Sequence, residues 1–166
     1  MKTQKKSKAF SLVEVLVALA ISAVLLAAVA VAFNASIVNY NDNRDISSAL
    51  NTARQAIMRI TNELRCASAV DTTTPSNQCT FMTADGRDIT YKFDSTSQAV
   101  YLVTNYDLFD SNYLLCENIT DMSFDLNTAT ADGQTYVKAV MISMTIQNGN
   151  FQKTITSGAV IRKNLE

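Results

Sequence analysis

The chain has 166 residues, 48% apolar and 17% charged, enough for one packed domain with an appendage and unlike a disordered or highly charged chain. Fourteen basic residues against 15 acidic give a formal charge of -1, which removes the case for bulk nucleic-acid affinity. The absence of histidine excludes His-based triads, His-ligated zinc and His general bases.

The basic charge is uneven. Lys2, Lys5, Lys6 and Lys8 all precede Phe10, leaving ten basic against 15 acidic residues in the remainder of the chain. From Phe10 to Phe33 run 24 residues without Gly or Pro and with one charge, Glu14. As a helix this run spans roughly 36 Å, enough to cross a hydrocarbon core of about 30 Å. The lysine cluster before it and the acidic surplus after it predict a cytoplasmic N-terminus and an external remainder. Two other uses of such a run are a removed signal peptide, with Ala30-Val31-Ala32 as its cleavage site, and a plain membrane anchor. The first is too short to account for this length, and neither has a use for Glu14, since an ion in lipid calls for a compensating partner.

The stretch from Lys5 to Ile21 combines a basic leader, a small residue (Ala9) before Phe10, a carboxylate at Glu14 and an unbroken apolar helix. It resembles the N-terminal cleavage and methylation signature of type IV prepilins and type II secretion pseudopilins. That resemblance implies cleavage between Ala9 and Phe10 by a membrane-embedded prepilin peptidase, methylation of the new Phe10 amine, and retention of the helix. It implies as partners other pilin or pseudopilin subunits through the N-terminal helix, the peptidase, and an inner-membrane assembly platform. The processing residues are then Ala9 and Phe10, and the assembly residues Phe10 and Glu14. The Glu14 carboxylate of an incoming subunit can neutralise the Phe10 amine of the preceding one, so two ions that are costly alone favour docking in one axial register. One departure is Ala9, where the family usually has Gly.

Beyond Phe33 the helix has no evident stop. Residues 34–65 lack Gly and Pro, and Ile46, Leu50, Ala53, Ile57, Ile60 and Leu64 form one apolar face at helical spacing. Arg44, Arg54, Arg59 and Glu63 lie between and are expected to face water. The turn-rich stretch around Pro75 ends the helical half. Strands are predicted over Thr80 to Thr83, Asp88 to Phe93, Gln98 to Thr104, Leu114 to Leu126 with an interruption at Asp121, and Tyr136 to Gln147. Asn148-Gly149 has the residues of a tight hairpin turn, and Phe151 to Ile161 returns as the partner strand. The predicted fold is α+β: the pilin fold, a long N-terminal helix packed on an antiparallel sheet. Its expected divisions are a cytoplasmic leader over 1–9, a transmembrane and assembly helix over 10–33, and a periplasmic globular part over 34–166. The strand pattern of Asp88 to Phe93, Leu114 to Phe124 and the ending at Ile161-Arg162 looks like the minor branch known as PilW-like or J-type. The K-type insertion is absent.

Cys66 closes the helix and Cys79 opens the first strand, so a Cys66–Cys79 disulfide is expected in an oxidising compartment, closing a loop worth roughly 3 kcal/mol. Cys116 reads as a buried small hydrophobe. Asp107, Asp110 and Asn112, and Asp85 with Asp88, offer oxygen ligands but fit no recognised calcium spacing and read as solvated loops. Asn34-Ala35-Ser36 and Asn118-Ile119-Thr120 match glycosylation acceptors that chance supplies in such a chain. No P-loop, dinucleotide fingerprint or nucleophile elbow occurs, and no catalytic, metal or cofactor site is assigned. The sequence therefore reads as a non-enzymatic minor pilin or pseudopilin. The alternative is a secreted or membrane-anchored α+β binding module.

Overall fold

The computed structural model describes residues 11–106, 112–131 and 133–164. One helix, α1 (Leu12–Arg65), is followed by eight strands: β1 (Ala69–Val70), β2 (Gln78–Met82), β3 (Asp88–Asp94), β4 (Ala99–Thr104), β5 (Tyr113–Cys116), β6 (Ile119–Ala131), β7 (Gln134–Asn148) and β8 (Phe151–Val160). The α+β architecture is the one expected, with all strands antiparallel. By its internal contacts the chain separates into Met1–Arg44 and Asp45–Glu166.

In the first unit, every described side chain from Leu12 onward is exposed. The helix there is apolar all round and long enough to cross a membrane. In the second unit the apolar stripe is buried, as its spacing predicts. Ala53, Ile57, Ile60 and Leu64 are buried, joined by Ala56 and Thr61, while Leu50 packs partly against them. The helix ends at Arg65 because the amides of Cys66 and Ala67 turn back to Glu63 and Leu64, at 3.1 Å each, in three-residue steps.

The strands form two sheets rather than one, in the orders β1-β2-β3-β4-β5 and β6-β7-β8. The expected single run from Leu114 to Leu126 breaks at Glu117 and Asn118, not at Asp121. Asn118 takes a left-handed backbone, φ 63°, which asparagine tolerates better than most residues, and its carbonyl accepts from the Gln147 amide at 2.9 Å. What lies near Asp121 is a register shift inside β6. The hairpin between β7 and β8 forms, but its turn residues are Gly149, at φ 57°, and Asn150, because Asn148 stays in the strand opposite Phe151. The two sheets are tied through β6, whose Ile119 and Phe124 amides donate to the Gln98 and Ser76 carbonyls at 2.9 and 2.7 Å.

Both sheets and the helical stripe share one core, in which Phe81 and Tyr91 stack with centroids 5.9 Å apart and Ile142, Met144 and Ile146 are wholly buried. Polar side chains fasten the helix to each sheet. Tyr91 Oη donates to Glu63 Oε2 at 2.8 Å, and Arg59 Nε pairs with Glu63 Oε1 at 3.1 Å. The Arg59 guanidinium lies 5.8 Å from the Tyr113 ring centroid on β5. Thr61 Oγ1 donates to Ser157 Oγ at 3.0 Å on β8. Glu63 thus does not simply face water; it is half-buried and joins helix to sheet.

Burial, and then the bond to Glu63, push the Tyr91 hydroxyl above the ordinary tyrosine range. A hydroxyl whose pKa is raised by folding favours the protonated, folded form, so this contribution is present below about pH 10 and is lost as pH rises beyond it. Tyr91→Phe is expected to destabilise the unit by about 1.5–3 kcal/mol at neutral pH. It should also flatten the alkaline fall in stability. Urea unfolding of the detergent-solubilised chain across the alkaline range checks both.

Candidate functional site

The assembly residue Glu14 lies in the first turn of α1, among exposed apolar neighbours that include Leu12, Val13, Val15 and Leu16. Its carboxylate is engaged within the chain. The Ser11 amide donates to Glu14 Oε2 at 2.9 Å, the Ser11 hydroxyl donates to the same oxygen at 3.1 Å, and the Glu14 amide donates to Ser11 Oγ at 3.2 Å. The Val15 amide closes the first helical bond onto the Ser11 carbonyl at 3.2 Å.

This is a reciprocal capping box: Ser11 is the N-cap residue and Glu14 the third residue of the helix. The helix starts where it does because Ser11 satisfies one orphan amide and Glu14 reaches back to satisfy the amide before it. The carboxylate also lies at the positive end of the helix dipole. Sequence reading singles out Glu14 and misses Ser11. The signal is present in the Ser11-x-x-Glu14 spacing, hidden inside a run whose apolar character draws the eye.

Ala9 and Phe10, the expected processing residues, lie outside the described residues. Covalent structure alone still fixes one point. Cleavage between Ala9 and Phe10 leaves the Ser11 amide intact, so the box is compatible with both the precursor and the processed chain. In the processed chain a new amine stands one residue before it. The arrangement holds the Glu14 carboxylate oriented at the helix start.

The cysteines occupy distinct environments: Cys66 is exposed, and Cys79 and Cys116 are buried. The bridge expected between Cys66 and Cys79 is not formed, and all three are free thiols. Cys66 lies in the turn between α1 and β1, and Cys79 is the second residue of β2. Burial, with the Asp71 carboxylate adding to it, pushes the Cys79 thiol up to about 12, and burial pushes Cys116 up to about 12.

Of the loop carboxylates, Asp85 pairs with Arg87 at 2.7 Å and Asp88 accepts from Asn105 Nδ2 at 2.9 Å. Asp107 and Asp110 lie outside the described residues, and Asn112 is exposed. Among the described residues no three His, Cys, Asp or Glu side chains group as metal ligands. Asn34 is exposed on the helix and Asn118 is exposed at its left-handed turn.

A family model described as the prokaryotic N-terminal methylation motif matches residues 4–30. Neither the curated proteins nor the solved structures give a match. The matched segment contains Ala9, Phe10, Ser11, Glu14 and most of the apolar run, and it supports a place among type IV pilin and pseudopilin precursors. The apolar helix fits the membrane anchor of such a precursor.

Ser11→Ala is expected to speed amide exchange in the first helical turn roughly fivefold in detergent micelles, with Ser11→Thr unchanged; hydrogen exchange read by NMR checks it. In the folded, reduced chain near pH 8, iodoacetamide is expected to modify Cys66 alone, and Cys79 and Cys116 only after denaturation, as read by intact mass.

Proposed function

We propose that this chain is a minor pilin or pseudopilin, a structural subunit that assembles into, or initiates, a type IV pilus or a type II secretion pseudopilus and performs no turnover of its own. The observation that carries the proposal is the methylation motif over residues 4–30 with a carboxylate held at the helix start. On this reading the leader is removed between Ala9 and Phe10 on the cytoplasmic face of the inner membrane, and the Phe10 amine is methylated. The globular unit stands on the periplasmic side, and an assembly platform lifts the subunit into the fibre.

The chemistry of assembly is electrostatic. Before docking, Ser11 occupies Glu14 Oε2 through two donors, which keeps the carboxylate oriented within a run of apolar side chains. A neighbouring subunit offers its Phe10 ammonium as a stronger, charged donor. Water is scarce in lipid, so the pair gains more from meeting there than at a wet surface. A helix one turn out of register leaves both ions uncompensated. Apolar packing between helices supplies cohesion without register, and the Glu14 pair supplies the register.

The capping box makes the charge separable from the fold. Glutamine also serves at the third position of a capping box, so Glu14→Gln keeps the helix start and removes the ion. The expected outcome is normal cleavage, shown by N-terminal sequencing that begins at N-methylated Phe10, with fibre incorporation reduced at least about tenfold. Incorporation at the wild-type level would contradict the proposal. A mature chain beginning near Phe33 would instead favour a secreted binding module.

A further inference from the structure

Strand β8 is the outer strand of the β6-β7-β8 sheet, and its far side pairs with no strand among the described residues. Two bonds fix the phase of its backbone. The Ile161 amide donates to the Lys138 carbonyl at 2.9 Å, continuing the register of β7 and β8, so the odd-numbered residues turn their amides and carbonyls toward β7. The Gly158 carbonyl accepts from an Arg65 guanidinium nitrogen at 3.4 Å, outside the sheet, so the even-numbered residues turn theirs away. The amides of Gln152, Thr154, Thr156 and Val160 therefore form a row of open donors along an exposed edge.

Folded sheets usually blunt such an edge with proline, a bulge, a cover or scattered charge. The other long outer strand, β6, is interrupted by register shifts, and its Ile119 and Phe124 amides are taken by the Gln98 and Ser76 carbonyls. β8 has no proline, pairs with β7 without a shift, and carries no charge from Thr154 to Val160. Beside it runs a stripe of α1 made of Arg54, Met58, Thr61 and Arg65, held there by the bonds from Thr61 to Ser157 and from Arg65 to Gly158. Met58, 62% exposed, is the one large apolar side chain of α1 beyond Arg44 that is exposed. The helix flank overhangs a place where the sheet stops one strand short.

The charge around this edge has one sign. Five of the ten basic residues beyond Phe10 are Arg54 and Arg65 on the stripe, Lys153 at the turn end of β8, and Arg162 and Lys163 just past its other end. No acidic residue occurs from Gly133 to Leu165, although acidic residues outnumber basic ones in the chain beyond Phe10. We propose that β8 is a docking edge for an acidic, extended segment of a partner protein, which adds as a fourth strand to β6-β7-β8 under the Met58 flank of α1. Main-chain bonds to Gln152, Thr154, Thr156 and Val160 supply the affinity, an apolar side chain covers Met58, and carboxylates meet the basic ends of the edge. A second copy of this chain is a poor occupant, because two β8 edges brought together oppose the same basic groups. The docking goes beyond the assembly reading and holds whether or not Glu14 sets the register.

The docking edge is tested on the full-length chain in detergent micelles, with amide hydrogen exchange read by NMR. The probe is a capped seven-residue peptide of alternating glutamate and valine. At saturation it is expected to slow exchange of the Gln152, Thr154, Thr156 and Val160 amides at least about tenfold. The same peptide with every amide N-methylated, or with lysine in place of glutamate, is expected to leave them unprotected. Thr156→Pro removes one outward donor at a position that an edge strand tolerates, and should weaken binding at least about tenfold, with thermal unfolding verifying the fold. Arg54→Glu lies on the helix surface, reads the contact independently of the strand, and should weaken binding about threefold. No protection by the probe, equal protection by either control peptide, protection on another strand instead, or indifference to both substitutions would overturn the docking edge. Protection that rises with chain concentration in the absence of peptide would make a second copy the occupant and overturn it as well.

Discussion

Glu14 is a carboxylate in the first turn of a helix whose neighbouring side chains are apolar and exposed, and it is held by two donors from Ser11. An ion so placed is tolerable only with hydrogen-bonding company, and Ser11 supplies that company before any second subunit does. The same bonds begin the helix, so the charge that the proposed function requires is built into the element that carries it. The proposed assembly then amounts to an exchange of donors. A serine hydroxyl and a backbone amide hold the carboxylate in the free chain, and a neighbour's ammonium takes it in the fibre.

The globular unit solves a different problem on the same helix. Its stripe from Ala53 to Leu64 needs an apolar cover, and two antiparallel sheets provide it. Two separate sheets tied by β6 allow the cover to wrap the stripe, because the left-handed backbone at Asn118 redirects the chain between β5 and β6. The Glu63 carboxylate, shared between Tyr91 and Arg59, fixes the helix against the first sheet, and Thr61 fixes it against the second. These bonds satisfy polar groups at the edge of an apolar interface, where leaving one unpaired is expensive.

Local patterns in this chain are legible and long-range pairings are not. The helical stripe, the end of the helix and the hairpin after β7 follow from spacing and turn chemistry within a few residues, and the structure has all three, with the turn one residue later, at Gly149-Asn150. The bond from Tyr91 to Glu63 joins residues 28 apart, and nothing in the pattern around either names the other. The division into two sheets turns on one backbone angle at Asn118, in a segment whose apolar content reads as a continuous strand. The Cys66–Cys79 pairing looks favourable by loop length, yet Cys66 is exposed, Cys79 is buried, and both are free thiols. At the candidate site Glu14 is evident as a lone charge, whereas Ser11 requires the three-residue spacing to be read as a cap.

On this account cohesion, register and surface presentation belong to different parts of one chain: the apolar run, the Ser11 and Glu14 pair, and the two sheets. The central claim is that the Glu14 carboxylate meets the terminal amine of a neighbour. Solid-state NMR on fibres assembled from two populations, one with a ¹⁵N-labelled Phe10 amine and the other with a ¹³C-labelled Glu14 carboxyl, measures that meeting directly. A dipolar contact between the populations at salt-bridge range, within about 4 Å, is expected. Contact confined to singly prepared, doubly labelled chains, or none at all, would contradict it.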